Sequence, residues 1–498
     1  MKKIISIILT LTMFTSVIYP CQSVIAAEIK QNNALTVSEN IIKMTDEYNT
    51  EYEEKLDNSD SESITVENRL IVETKSKINT YDSVDEVYGL GYAFIQFDDS
   101  EAADKALEQY KKQGLTVSND RIYNLNATSY ANFSNDEKWA YTFTESDTTV
   151  KYFKNKKLSD VTVGIIDSGI DYTHSLLKSR VLRTNTNFST SGNQNDEMDD
   201  QGHGTSCAGI IAQATTDNVK IQGFKAGSAD GHVYTSSLIC TYEYILNMNE
   251  KPDVINMSFG GYGKPLPTET QLLEELKKSG IALIASAGNE NLDTADSTPA
   301  NDENVFAVSA FDPNGVKCFF SNYGTTVDIA APGTNVYTSK LGGGYTNSFT
   351  GTSASAPFVS AAAAIVLMQN NTLTPDEVYE KIKASAFNTN KPADKLWAGA
   401  GLLNYFNLID GDRKSPVTFN YEGGQYDDTI KVELTSADRL NTKIIYTTDN
   451  TLPSASNGTK YSGPITIDTH ATIIAAAFPI VGSSLHSQYT SASYQIFR

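Results

Sequence analysis

Apolar positions along this 498-residue chain change their spacing several times, and each change marks a new element. Lys2 and Lys3 precede an apolar stretch from Ile4 to about Tyr19, and Val24-Ile25-Ala26-Ala27 offers small residues for cleavage. That order of charge, apolar run and small residues predicts a secretory signal peptide over 1–27. Residues 28–66 are polar, carry an acidic patch between Glu51 and Glu62, and predict a mobile leader. Order is expected from near Arg69. Arg69-Leu70-Ile71-Val72-Glu73 and Gly91 to Phe97 read as strands, and Ala102 to Gln113 as an amphipathic helix with Ala103, Leu107 and Tyr110 on one face. Gly114 ends that helix and Leu115-Thr116-Val117 starts another strand, so 67–128 is a compact α+β unit.

From Val161 to about Asn407 short apolar strands alternate with helical stretches, the pattern of a parallel sheet covered by helices on both faces. Strands are expected near Val161, Lys220, Val254, Ile281, Val305 and Val327, inside an α/β body over 129–413. Past Asp410 to Pro416 the texture becomes short alternating strands, at Lys443–Asp449, Gly458–Ile467 and Ala471–Ala477, which predict a β-sandwich over 414–498.

Four blocks in the α/β body carry chemistry. Val163 to Gly169 ends an apolar β-branched run in Asp167-Ser168-Gly169, delivering a carboxylate at a strand's C-terminal end. Gly202-His203-Gly204-Thr205 places a histidine at the opening of a helix. Ile281 to Asn289 reads as a buried strand ending at Gly288-Asn289. Gly351 to Pro357 puts Ser353 at the start of a small-residue helix running to Gln369, with Pro357 expected in its first turn. A serine hydroxyl is a poor nucleophile near neutral pH and needs an imidazole to take its proton, which in turn needs a carboxylate on its other nitrogen. Among five histidines, His174 falls in a surface-loop context, His232 in an exposed turn, and His470 and His486 in another domain, leaving His203 as the base.

The order Asp167, His203, Ser353 and these motifs resemble the subtilisin-like serine proteases, the subtilase or S8 peptidase family. Ala354 and Ser355 depart from the Met and Ala that many relatives carry there. The resemblance implies that Ser353 attacks, His203 transfers protons, Asp167 orients the imidazole, and Asn289 with the Ser353 N–H binds the oxyanion. Substrate would pair with the edge segment Ser258, Phe259 and Gly260. Its side chain would enter a pocket between that edge and Ser286, Ala287 and Gly288, floored by Ser297. These walls are small and uncharged, which predicts broad cleavage after large apolar or uncharged residues.

The α+β unit resembles the family's inhibitory propeptide, whose tail lies in the active site until cut, here between about Asn124 and Asn132. Trp139 resembles the opening of the mature domain. The C-terminal strands resemble the fibronectin-III-like module of chitobiase-type enzymes, suited to a spacer, stabilising or weak wall-binding role.

Composition narrows the picture further. A formal charge of −21 opposes nonspecific binding to nucleic acid or anionic membranes. Nothing downstream of the signal reaches about 18 uninterrupted apolar residues, and Pro20 before Cys21 departs from a lipoprotein anchor, so export with release is expected. Beyond Cys21, the cysteines Cys207, Cys240 and Cys318 are odd in number, so at least one stays a thiol or pairs between chains. Cys207 follows His203 by one helical turn, which suits a small buried side chain and also a thiol beneath the imidazole.

No cofactor is required for this chemistry. Asn195 to Asp200 is a candidate calcium loop that also suits a solvated acidic turn, and no metal ligand is assigned. A secreted non-catalytic scaffold and a carbohydrate-binding wall protein stay open as rival readings.

Overall fold

In a computed structural model of the chain, the described residues are 31–44, 65–125, 138–387, 394–410, 416–437, 440–449, 452–454, 457–480 and 486–497. The expected signal peptide and all but Asn124 and Leu125 of the expected cut region lie outside them.

Helix α1 covers residues 31–44, inside the stretch read as a polar leader. Ala34, Val37, Ile41 and Met44 recur at helical spacing and join a buried cluster with Ile71, Phe94 and Leu276, so this part of the leader is packed. Gly89 makes room for it, since a Cβ there would lie 2.1 Å from Val37 Cγ2.

Strands β1 (Thr65–Glu73), β2 (Ser83–Gly89) and β3 (Tyr92–Phe97), helix α2 (Ser100–Lys112) and strand β4 (Val117–Asn124) form the α+β unit. Asp99 caps α2 by accepting from the Ala102 N–H, and Ala103, Ala106 and Tyr110 are its buried residues. Strand β2, which the apolar pattern did not announce, has a mixed burial pattern with one buried residue among seven.

The α/β body begins with the short helices α3 (Trp139–Phe143) and α4 (Ser146–Phe153), strands β5 (Val161–Asp167) and β6 (Val181–Leu182), helix α5 (His203–Ala214) and strand β7 (Val219–Lys225). Next come β8 (His232–Tyr234), α6 (Thr235–Leu246), β9 (Val254–Met257), β10 (Gly261–Tyr262), α7 (Pro267–Lys278), β11 (Ala282–Ser286) and β12 (Ser297–Thr298). β13 (Phe306–Phe311), β14 (Val327–Pro332), β15 (Val336–Ser339), β16 (Tyr345–Phe349), α8 (Thr352–Gln369) and α9 (Pro375–Ser385) complete it.

Seven strands pair in the order β14-β13-β11-β9-β5-β7-β6. All six pairings are parallel, as the near-continuous apolar runs foretold. Among the described residues, α8 alone is long and apolar enough to cross a membrane, and it is buried in the core instead. Beyond it, strands from Val417 to Ile496 form one five-stranded sheet and two pairs. Val432, Leu434 and Ile467 of the pairs share a core with Ile473, Ala475 and Tyr494 of the larger sheet, a sandwich arrangement.

His174 departs from expectation, and His486 makes contacts beyond its own domain. His174 is buried, donates from Nε2 to the Gly344 carbonyl at 2.6 Å and accepts the Leu176 N–H on Nδ1, so it fastens a loop and is not a surface residue. His486 stacks on Phe406 at 4.0 Å and bonds Glu145 at 3.0 Å, tying the C-terminal strands to the α/β body.

Helix α5 crosses β15 at Gly209, where an added Cβ would sit 2.2 Å from Ser339 Oγ and 2.6 Å from the Ser339 nitrogen. Gly209→Ala should therefore lower stability by about 1–3 kcal/mol, the usual cost of overpacking. Chemical denaturation of the full chain reads this out, and an unshifted midpoint contradicts the packing.

Candidate active site

Asp167 is the last residue of β5, and its carboxylate is wholly buried. Its oxygens lie 2.9 and 3.0 Å from His203 Nδ1, and Oδ1 also accepts the Ser168 N–H at 2.8 Å. A carboxylate can only accept here, so Nδ1 carries the proton and the Nε2 lone pair is left available. Nε2 is buried without a hydrogen-bond partner among the described residues.

The glycines of Gly202-His203-Gly204 have local reasons. Gly202 has φ +109°, and a Cβ on Gly204 would lie 2.1 Å from the Gly169 carbonyl oxygen and 3.1 Å from Asp167 Cβ. Only a bare backbone lets the first turn of α5 approach the end of β5 this closely.

The acidic run holds the same region together. Asp199 accepts from Ser168 Oγ, the Gly202 N–H and the Thr205 N–H at 2.8, 2.8 and 3.0 Å. Buried Lys225 donates to the Ser168 carbonyl at 2.7 Å and to Asp200 at 2.5 Å. Arg183 bonds both Asp196 and Glu197. These carboxylates thus accept from protein donors, which favours a structural clamp over a calcium loop.

Ser353 is the second residue of α8. Its Oγ donates to the Ser258 carbonyl at 2.9 Å, and Ser258 Oγ donates back to the Ser353 carbonyl at 3.1 Å. Pro357 is the sixth residue of α8 and not in its first turn. Lacking an N–H, it frees the carbonyl four residues earlier, that of Ser353, for Ser258 and for Cys207 Sγ at 3.6 Å.

Asn289 is fixed by the same helix: its Oδ1 accepts from the Thr352 N–H at 2.8 Å and from Thr352 Oγ1 at 3.0 Å. With the oxygen anchored, the amide nitrogen is turned to the other side of the group.

The expected substrate residues also gather. Ser258, Phe259 and Gly260 follow β9, Ser286 ends β11, its parallel neighbour, and Ala287 and Gly288 come directly after it. Ser286 Oγ bonds the Phe259 carbonyl at 3.5 Å. Ser297 accepts from Asn322 Nδ2 at 2.8 Å, and that nitrogen would be 2.3 Å from a Cβ on Gly288. Sequence reasoning missed Glu290, whose carboxylate accepts from Asn322 Nδ2 and the Asn289 N–H, both at 2.8 Å. A charge therefore adjoins walls read as uncharged; its only local signal is its place after Gly288-Asn289.

The end of the α+β unit lies in this region. β4 pairs antiparallel with β8, setting Tyr123 opposite Val233 and Asn124 opposite His232. On its other side Asn124 exchanges hydrogen bonds with Gly260 at 3.0 and 3.4 Å, and the Leu125 N–H donates to the Gly231 carbonyl at 2.8 Å. His232 thus opens a paired strand and is not an exposed turn residue.

Several known proteins resemble this chain. The subtilase family profile matches residues 159–406, and the chitobiase/beta-hexosaminidase C-terminal domain profile matches 421–488. Subtilisin DY of Bacillus licheniformis is 32% identical over 262 residues, covering 50% of this chain and 90% of the relative. Alkaline serine exoprotease A of Vibrio alginolyticus is 30% identical over 264 residues, 52% of this chain and 48% of the relative, so the chain spans about half of that protein's length. The crystal structure of a cold adapted subtilisin-like serine proteinase aligns at 29% identity over 51% of this chain and 90% of its own, with a TM-score of 0.46.

Cys207, Cys240 and Cys318 are buried free thiols. Cys207 Sγ is 3.8 Å from His203 Nδ1, so the thiol does lie beside the imidazole. Burial, then the Asp167 charge, raises its pKa well above the ordinary thiol value. The neutral, enclosed thiol should resist iodoacetamide at pH 8, whereas a mercurial, which binds soft sulfur, should block the adjacent imidazole. Activity assays of wild type and Cys207→Ala test this; mercurial inhibition that persists in the variant contradicts it.

Proposed function

The chain belongs to the subtilase family of serine endopeptidases, and on that premise we propose that it is an exported protease made as a self-inhibited zymogen, hydrolysing peptide bonds through Asp167, His203 and Ser353. The observation that carries the reading is the buried Asp167–His203 pair at 2.9 Å, which leaves the Nε2 lone pair available.

The reaction begins when the Ser353 hydroxyl turns from the Ser258 carbonyl to Nε2. Oγ attacks the substrate carbonyl carbon as Nε2 takes its proton, and Asp167 stabilises the resulting imidazolium. The carbonyl oxygen becomes an oxyanion, bound by the Asn289 amide and the Ser353 N–H, with the positive end of the α8 dipole behind them. Collapse breaks the C–N bond as Nε2 protonates the leaving amine, which leaves an acyl-serine. Water, deprotonated by the same nitrogen, then releases the acid and restores Ser353.

Peptides and proteins are the substrates, aligned as an added strand along Ser258–Gly260. Specificity at the pocket of Ser286, Ala287, Gly288 and Ser297 is broad. The chemistry uses no cofactor, and calcium, if bound, is structural. The unit over 67–128 is the intramolecular inhibitor and folding aid. Pairing of β4 with β8 and Gly260 supports this, because an extended segment already occupies the edges where substrate would lie. The expected signal peptide supports secretion, and the C-terminal strands suit a spacer or weak wall contact.

The test is covalent labelling of the processed protein with a fluorophosphonate and peptide mapping of the adduct. Label on Ser353 is expected, and unlabelled protein favours the non-catalytic scaffold. Asn289→Ala should lower kcat by on the order of 10²–10³-fold, the loss known for the oxyanion asparagine of a subtilisin. Near-normal turnover contradicts that role.

A further inference from the structure

Tyr123 of β4 is buried where the strand crosses the α/β body, and its hydroxyl sits 2.6 and 2.8 Å from the two carboxylate oxygens of Glu269. Its ring lies 6.0 Å from that of Phe259, and a Cβ on Gly261 would meet it at 2.8 Å, so the slot fits a flat ring closely. Glu269 is in the first turn of α7 and almost fully enclosed, and its other bond among the described residues is a 3.3 Å one from the Leu266 N–H. Burial raises its pKa; Tyr123, the Leu266 N–H and the charge of Arg121 oppose that shift, and Asp120 adds to it. A carboxylate in so dry a place is costly unless a donor meets it, and the phenol supplies that donor.

The strand's register gives this pair a functional meaning. Asn124 faces Gly260, two positions past Ser258, whose carbonyl is held 2.9 Å from Ser353 Oγ. A substrate strand held in that antiparallel register would meet Ser258 with the residue two after the one at Gly260 and present the following bond to the nucleophile, so the side chain in the place of Tyr123 belongs to the fourth residue before the bond that is cut.

We propose that Glu269 is a specificity-determining residue: once the inhibitory segment leaves, its carboxylate selects substrates with tyrosine four residues before the scissile bond, accepting the phenol hydrogen at the floor of the slot beside Phe259 and Gly261. This rests on the protease reading and adds to it a side-chain preference remote from the main pocket. A phenylalanine in the slot fills the same space yet leaves the carboxylate unpaired. A site built to bond a hydroxyl rejects the analogue that lacks it.

The experiment uses the processed enzyme and quenched fluorogenic peptides with the sequence of residues 122–128, carrying Tyr, Phe, Leu or Arg at the position of Tyr123, beside a shorter peptide that begins at Asn124. The Tyr peptide should exceed the Phe peptide in kcat/KM by about ten- to a hundredfold. Glu269→Leu should bring that ratio to about one, while turnover of the short peptide, which does not reach the slot, stays as in wild type. Glu269→Gln, which keeps an acceptor and the bond to Leu266, should retain part of the ratio and serves if the leucine variant does not fold. Equal rates for Tyr and Phe peptides in wild type, a ratio that survives Glu269→Leu, or fastest cleavage of the Arg peptide overturns the proposal. If wild type cleaves the short peptide but shows no Tyr preference, only the Glu269 inference falls. If it cleaves none, the protease reading falls and takes this one with it.

Discussion

A carboxylate buried at the end of a central strand, with an imidazole as its main partner, is the constraint around which the α/β body is arranged. Removing Asp167 from water is expensive, and the cost is offset only while His203 Nδ1 and the Ser168 N–H stay in place. Each of those partners is held from behind. Ser168 is tied through Asp199 to the residues that open α5, and its carbonyl is tied through Lys225 to β7. Glycine at 204 lets the helix come close enough for the pair to form. The second helix, α8, arrives through its own irregularity. Pro357 frees the Ser353 carbonyl, and Ser258 and Cys207 take it up, so the end of β9 and helix α5 both register on the serine.

The N-terminal unit uses the same surface for a different purpose. Its last strand is inserted between β8 and Gly260, while Arg69, Gln96 and Asp120 form a buried polar group beneath it. Burial raises the pKa of Asp120, and Arg69 and the Ser236 N–H and Oγ counter that by bonding the charged form. Asp120 thereby caps the start of α6 in the body it covers. Affinity for the site comes from main-chain pairing and these fixed polar contacts together. Both disappear at once when the segment separates, which is what the proposed inhibitory role requires.

The features legible along the chain were those with local signatures. The run ending in Asp167, the glycines around His203, and the small-residue helix after Gly351 each carry their reason within a few residues, and the parallel sheet follows from its apolar strands. Helix α1 was missed because its apolar stripe of Ala34, Val37, Ile41 and Met44 is narrow and sits in a polar, acidic stretch. His174 and His232 were misread because burial and pairing are decided by distant partners, Gly344 for one and Asn124 for the other. Glu269 and Tyr123 meet across 146 positions, and no periodicity or motif joins them. Long-range polar pairs of this kind are a product of topology, so they become visible only once strands and helices have been assembled.

Presentation of the chain's own backbone to Ser353 is the central claim, and N-terminal sequencing of the full chain after incubation, beside the same chain carrying Ser353→Ala, tests it most directly. A new N-terminus at Ala127 in the first and none in the second is the predicted result. An uncut wild-type chain, or the same cut in both, would contradict it.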